Sequence, residues 1–353
     1  MTSAKPGIVP PGESGGMIRL SHNESAYGPS PEAVAAYRSV AGRLNRYPDG
    51  AQYELRRALA DVHKLDIDRI ICGSGSEELL GLLIRAYLAE GDGLLLTEHH
   101  FTMCSVYGRT QGVNITQVPV DDYRINIAAI LEQVSAGTRM VIIANPNVPA
   151  GTCLDGDEIR ELHNGLPGDV LLVIDGAYME YAAPVVAAGC IDLAGTSGNV
   201  VMTRTFSKIY GLAGLRIGWA YCPAPVAGVL QRIRSPFNTN SAALAAAAAA
   251  VRDSGYIDGI RERNAASLRR ISTALAAAGL RVIPGVANFY LVSFAGREGK
   301  NAAGAAGYLQ SRNIMPRPVN PADSGNVLRI TVGKDSENDA VIAALTEYMT
   351  KKE

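Results

Sequence analysis

Lys208 stands in VVMTRTFSKIYGLAGLRIGW, just past an apolar, β-branched run from Val200 to Phe206, and no other lysine lies between Lys64 and Lys300. An ammonium at the end of a buried strand is costly unless it is neutral, paired or covalently engaged. Desolvation lowers the amine pKa and leaves the nucleophile from which Schiff bases form; the plainer alternative is a lysine that snorkels to the surface. Asp175 ends the apolar run VLLVID. A buried acid there needs a charged or hydrogen-bonded partner, and a protonated pyridine nitrogen would serve, as would a helix N-terminus. Tyr178, in the turn that follows, reaches the same ligand or belongs to the core.

A phosphate fits the same set. GSGSEELL follows an apolar run and opens a helical pattern, which puts the amides of Gly75, Ser76 and Glu77 at a positive helix end. Thr205, Ser207 and Arg216 add two hydroxyls and a bidentate cation around Lys208, a set suited to one phosphate monoester. Arg329, inside the strand-like NVLRITVG, binds a carboxylate or phosphate or makes a cross-strand ion pair, and Arg317 in IMPRP is a candidate second anion clamp. NPNVPAGT at 145–152 is a proline-rich turn that holds irregular backbone near a ligand or is simply a loop. Tyr47 sits in the tight turn NRYPDG.

The elements that must position these residues alternate. Helices are expected from about 31, at 52–64, 76–89, 126–136 and 155–164, with a helix or turn at 101–112. They interleave with strands ending at Cys72 and with GLLLTE, NITQVPV, RMVIIAN and VLLVID; a linker then leads to VVMTRTF. The strands are continuous apolar runs, as in a parallel sheet covered on both faces, and Asn145, Asp175 and Lys208 fall just past their ends, where ligands bind in open α/β sheets. The alanine run at 242–251 reads as a packed helix. Helical signals at 255–278 and 301–312 then interleave with RVIPG, NFYLVSF and NVLRITVG, which predicts a smaller α+β domain with an antiparallel sheet. The expected division is an N-terminal arm and start of the small domain at 1–44, a large domain at 45–246 and the small domain at 247–353.

Composition excludes several classes. A net charge of −1 over 353 residues, with no basic stripe, gives no general pull on nucleic acid or anionic membrane. The five cysteines (72, 104, 153, 190, 222) are scattered and odd in number, which favours reduced thiols in the cytoplasm over disulfides or a metal site. No uninterrupted apolar stretch has transmembrane length, and the N-terminus reads as a flexible arm without a signal-peptide core.

The order LSHNESAYGPSP, RYPDG, GSEE, DGAYMEY, RTFSKIYGLAGLRIGWA and LRITVG resembles the fold-type I pyridoxal-phosphate enzymes of the class I/II aminotransferase group, and most closely the histidinol-phosphate aminotransferase family, over nearly the whole chain. The resemblance implies an α/β fold with a large cofactor domain, pyridoxal phosphate as cofactor and a homodimer with shared active sites. By it, Lys208 would anchor the cofactor and shuttle the proton at the substrate Cα. Asp175 would hold the ring-nitrogen proton and Tyr178 would donate to the phenolic oxygen. Ser76, Glu77, Thr205, Ser207 and Arg216 would bind the phosphate, with Tyr47 reaching in from a partner subunit. Phe101 would stack on the ring where a tyrosine is usual. Arg329 would clamp the glutamate carboxylate and Arg317 the substrate phosphate. Asn23 lies in the substrate loop, and Phe237 would line the substrate pocket. Val148 stands where the family's turn has a second asparagine, a donor to the phenolic oxygen, and Ala150 replaces a threonine; Asn147 is the candidate to compensate.

Aromatic amino acids are the second choice of substrate. A lyase, decarboxylase or oxidase on the same fold is the alternative reaction class, which the altered turn keeps open. A cofactor-sensing regulator would need a DNA-binding module that the short arm does not supply, and a dinucleotide site lacks the glycine spacing in GSGSEE.

Overall fold

A computed structural model describes residues 16–294, 299–319 and 326–351. Its centre is a seven-stranded sheet in the order Ile70–Gly73, Gly218–Tyr221, Val200–Thr205, Leu171–Asp175, Thr138–Ala144, Gly93–Thr97, Asn114–Val118. The last five strands in that order pair in parallel. Gly218–Tyr221 runs antiparallel between its two neighbours. Alternation along each strand feeds two separate cores: Leu172, Ile174 and Met202 face one, and Leu171, Val173 and Val201 face the other. With both faces covered by helices, most positions on either side are apolar, and this is why the strands read as nearly continuous apolar runs.

Several elements depart from expectation. The stretch between VLLVID and VVMTRTF contains a helix, Pro184–Thr196, rather than a linker alone. Its apolar residues go round the helix instead of forming a stripe, so periodicity gives no signal. WAY is a sheet strand, and Ala224–Ile233 is a helix started by the chain turning at Pro223. The helix expected at 126–136 is shorter, Ile127–Glu132, capped by the Asn126 side chain. The alanine-rich helix runs Ser241–Arg252 with Asn240 as its cap, so the expected boundary after 246 falls inside one continuous helix.

Beyond the long helix Ser254–Ala277 lies a four-stranded antiparallel sheet in the order Arg281–Ile283, Phe289–Ser293, Val327–Thr331, Arg317–Pro318. Tyr290, Val292, Leu328 and Ile330 pack with Ile271, Leu275, Val341 and Leu345 from the flanking helices. The segment Ile18–Arg19 pairs in parallel with Ile314–Met315, and Thr331 N–H donates to Leu20 O at 2.9 Å. The N-terminal segment is thereby stitched to the C-terminal sheet before it crosses to the large one. The arm expected before Gly16 lies outside the described residues. Among the described residues, no helix is long and apolar enough to cross a membrane.

Candidate active site

The chemical residues gather where strands of the large sheet end. Asp175 is the last residue of its strand and is buried; it accepts from Thr203 Oγ1 at 3.1 Å across the sheet. Burial pushes its carboxyl up to about 6, while Thr203, the Ala177 amide and Lys208 pull the other way. Such a carboxylate favours a cation against it. Two residues beyond the strand Val200–Thr205, Ser207 N–H turns back onto Thr205 Oγ1 at 3.1 Å, and Lys208 leaves the turn half-buried. The Lys208 ammonium donates to His22 O at 3.2 Å and lies 5.4 Å from the centre of the Tyr178 ring. Its cost of burial is thus smaller than a strand-end position suggests, because it is only half-buried and does not enter the core.

Thr205 Oγ1 donates to Ser207 Oγ at 3.0 Å, and Arg216 Nη1 donates to that same Ser207 oxygen at 3.1 Å. Facing them, Gly75 is the N-cap of the helix Ser76–Tyr87 at φ 85°. A Cβ on Gly75 would stand 2.5 Å from Arg216 Nη2, and one on Gly218 would stand 2.4 Å from the Ser76 amide nitrogen. Both glycines therefore keep open a cradle whose donors are a helix N-terminus, two hydroxyls and a guanidinium. Together with a buried acid seeking a cation, this cradle fits a phosphorylated pyridine such as pyridoxal phosphate. Phe101 precedes the helix Thr102–Thr110 and is 40% exposed. Glu77 accepts from the Tyr107 hydroxyl at 3.1 Å.

A second group comes from the N-terminal loop and the C-terminal sheet. Arg317 and Arg329 are register partners on adjacent strands. Arg329 Nη2 donates to Ser21 O at 2.9 Å, its guanidinium sits 5.5 Å from the Phe289 ring centre, and its buried Nε has no partner among the described residues. Burial lowers the pKa of His22; Arg317, Arg329 and Lys208 push the same way, and Glu24 opposes them. His22 thus stands within reach of three cations, a placement its position in LSHNES does not announce.

Asn23 is buried with both ends of its amide engaged. Nδ2 donates to Tyr178 Oη at 2.9 Å, and Oδ1 accepts from Thr331 Oγ1 at 3.1 Å. Tyr178 also meets Phe289 edge-on, with ring centres 4.9 Å apart. Asn145, expected near the ligand, is fully buried and spends its side chain on both backbone groups of Leu154. Asn147 Nδ2 is committed to Tyr123 O at 3.3 Å, and Val148 packs against the large core.

Tyr47 and Phe237 are brought to each other and not to the lysine. Their rings stack at 4.7 Å, and Tyr47 is 82% exposed. Sequence reasoning also missed the buried ion pair of Arg204 with Glu180 at 2.8 Å. Arg204 lies between Thr203 and Thr205 on the opposite side of the strand, and Glu180 follows Tyr178 by two residues, so the pair ties together the two segments that carry the chemistry. An arginine in an otherwise apolar strand pattern was the available signal.

Among the described residues no group of His, Cys, Asp or Glu is arranged to hold a metal. The five cysteines are free, and burial raises their thiols, Cys72 to about 12 and Cys190 to about 11.

The family described as aminotransferase class I and II matches residues 15–345. A histidinol-phosphate aminotransferase from Paramagnetospirillum magneticum is 44% identical over 333 residues, 94% of this chain and 92% of that protein. One from Rhodopseudomonas palustris is 41% identical over 347 residues, 98% of this chain and 95% of that protein. The solved histidinol-phosphate aminotransferase of Sinorhizobium meliloti, in complex with pyridoxal-5'-phosphate, superposes with a TM-score of 0.86 at 31% identity, covering 94% of this chain and 90% of that one.

Proposed function

The chain belongs to the class I and II aminotransferases and, within them, to the histidinol-phosphate aminotransferase family, and from that premise we propose that it exchanges an amino group between histidinol phosphate and 2-oxoglutarate, with pyridoxal phosphate as cofactor. The observation that carries the substrate is the pair Arg317 and Arg329, register partners that both act on His22 beside Lys208. The carboxylate of glutamate needs one clamp, and a substrate phosphate accounts for the second.

When bound, the cofactor supplies a conjugated ring that takes up electrons from the carbon losing its proton. Lys208 anchors that group and then holds and returns the proton at the substrate Cα. Asp175 keeps the ring nitrogen protonated, an arrangement that also relieves its own burial. Tyr178 donates to the phenolic oxygen. The amides of Gly75, Ser76 and Glu77, with Thr205, Ser207 and Arg216, bind the phosphate, and Phe101 covers the ring. Arg329 receives the carboxylate and Arg317 the phosphate of the substrate.

The functional unit is a homodimer, in which the exposed stack of Tyr47 on Phe237, with Leu44 76% exposed nearby in sequence, is covered by the partner, and Tyr47 completes the partner's phosphate site. The large domain extends to the end of the helix Ser241–Arg252, and the rest of the chain joins the N-terminal ribbon in the small one. Reduced, buried thiols support a cytoplasmic location.

The test is a half-reaction. The protein loaded with pyridoxal phosphate is mixed in turn with histidinol phosphate, L-phenylalanine and L-glutamate while the cofactor's absorbance is followed. Conversion by histidinol phosphate faster than by phenylalanine, reversed by 2-oxoglutarate, is the expected result. A band that recovers unaided, or changes only with oxygen present, would replace transfer by elimination, decarboxylation or oxidation.

A further inference from the structure

Three residues from distant parts of the chain form one hydrogen-bond chain whose direction is determined. The Asn23 N–H donates to Thr331 Oγ1 at 3.0 Å, and the Thr331 hydroxyl donates its own proton to Asn23 Oδ1 at 3.1 Å. That donation fixes which end of the amide is oxygen. The other end, Nδ2, donates to Tyr178 Oη at 2.9 Å. Tyr178 Oη is therefore an acceptor on this side, and its own proton is free to point elsewhere. Asn23 has no room to turn: it is 1% exposed, its backbone is held at φ 57°, and its carbonyl accepts from Asn288 Nδ2 at 2.9 Å. Phe289, which pairs in register with Thr331, fixes the Tyr178 ring edge-on.

We propose that Asn23 and Thr331 are positioning residues that aim the Tyr178 hydroxyl proton into the site beside Lys208, toward the phenolic oxygen of the bound cofactor. This rests on the reading of Tyr178 and pyridoxal phosphate given above. The chain begins on the strand that carries Arg329 and ends on the turn after Asp175, so the C-terminal sheet sets the hydrogen bonding of a group on the large one. Asn23 then acts through Tyr178 and leaves substrate contact to other residues of its loop, His22 first among them.

The test uses the holoenzyme without substrate and reads the pH midpoint at which the bound cofactor's visible band titrates. A donor to the phenolic oxygen stabilises its anionic form, so losing the donor moves the midpoint up. Tyr178→Phe should move it most. Asn23→Ala and Thr331→Val should move it the same way by roughly half a unit to one unit, and Thr331→Ser, which keeps the hydroxyl, should leave it at the parent value. Thr331→Val is nearly isosteric, so the comparison survives if Asn23→Ala fails to fold. Midpoints unchanged in Asn23→Ala and Thr331→Val while Tyr178→Phe shifts would overturn the proposal. So would a Thr331→Ser shift equal to that of Thr331→Val, which would make the effect one of packing. If Tyr178→Phe itself leaves the midpoint in place, the reading of Tyr178 fails first and the proposal with it.

Discussion

Lys208 and Arg329 are held by consecutive carbonyl oxygens of one loop: the lysine ammonium donates to His22 O at 3.2 Å and the arginine Nη2 to Ser21 O at 2.9 Å. One residue follows a strand of the large sheet and the other lies within a strand of the C-terminal sheet, so a two-residue stretch of the N-terminal segment measures the separation between the amine and the guanidinium. Both donors retain N–H groups for a ligand, since an ammonium has three and a guanidinium five. The buried Nε of Arg329 has no partner among the described residues.

That spare donor makes Arg329 the residue on which carboxylate affinity should depend. Hydrogen bonds to charged groups are worth about 1.5–3 kcal/mol, so Arg329→Ala should raise the KM for 2-oxoglutarate roughly ten- to a hundredfold. Arg329→Lys should recover only part of this, because an ammonium lacks the planar fork. Steady-state kinetics with 2-oxoglutarate varied decide it, and a KM within twofold of the parent in both variants would remove Arg329 from the site.

Asp175 gives a dependence on pH whose sign follows from its burial. Its folded carboxyl titrates at about 6 against an ordinary 3.8, so the folded chain binds the proton more tightly than the unfolded chain. Stability is therefore lost as the pH rises through that interval, and the loss is complete above it. A cation at the carboxylate cancels the loss. Relative to Asp175→Asn, the cofactor-free protein should lose roughly 3 kcal/mol between pH 4 and 7. The gain in Tm on adding pyridoxal phosphate should grow over the same interval. Thermal melts of both proteins across pH test this, and parallel curves for the two would show that Asp175 carries no such charge penalty.

How much of this was legible follows from how local each feature is. The parallel strands declared themselves because both of their faces are buried, and the polar residues at their ends, Asp175 and Lys208, stood out against that background. The helix Pro184–Thr196 did not, because its apolar residues are not confined to one face. The Asn23 amide was invisible for a different reason. Its partners lie 155 and 308 residues away, and no spacing rule reaches that far. The motif marked Asn23 as belonging to the site, but only the fold shows that both ends of its side chain are already spent. Tyr47 and Phe237 were legible as residues of interest, yet within a single chain they stack on each other at an exposed position.

Val148 is the departure that the structure sharpens. Asn147, the neighbour that could have compensated, turns its side-chain nitrogen to Tyr123 O at 3.3 Å. Val148 itself packs against the large core and offers no polar atom. Val148→Asn should therefore add a donor for the phenolic oxygen and lower the pH midpoint of the bound cofactor's visible band by about one unit, the equivalent of about 1.4 kcal/mol. A spectrophotometric titration of the variant holoenzyme that coincides with the parent would mean that position 148 does not address that oxygen.

Glu180 and Arg204 test how firmly the two chemical segments are joined. Both side chains are almost wholly buried, at 5% and 3% exposed, and Arg204 Nε and Nη2 reach the same Glu180 Oε1 at 2.9 and 2.8 Å. The far ends, Arg204 Nη1 and Glu180 Oε2, have no partner among the described residues. A buried pair of this kind adds little net stability over apolar residues, but removing one member strands a charge at a cost of about 3–5 kcal/mol. Glu180→Ala and Arg204→Ala should each lose that much in urea unfolding, whereas the double variant Glu180→Leu with Arg204→Met should lose less than either. Arg204 flanks Thr203 and Thr205, and Glu180 follows Tyr178, so the single variants should also bind pyridoxal phosphate more weakly, read as the cofactor concentration needed to restore the visible band. Single variants within about half a kcal/mol of the parent would mean that water reaches the pair, and the link between the lysine strand and the Tyr178 turn would have to lie in backbone pairing alone.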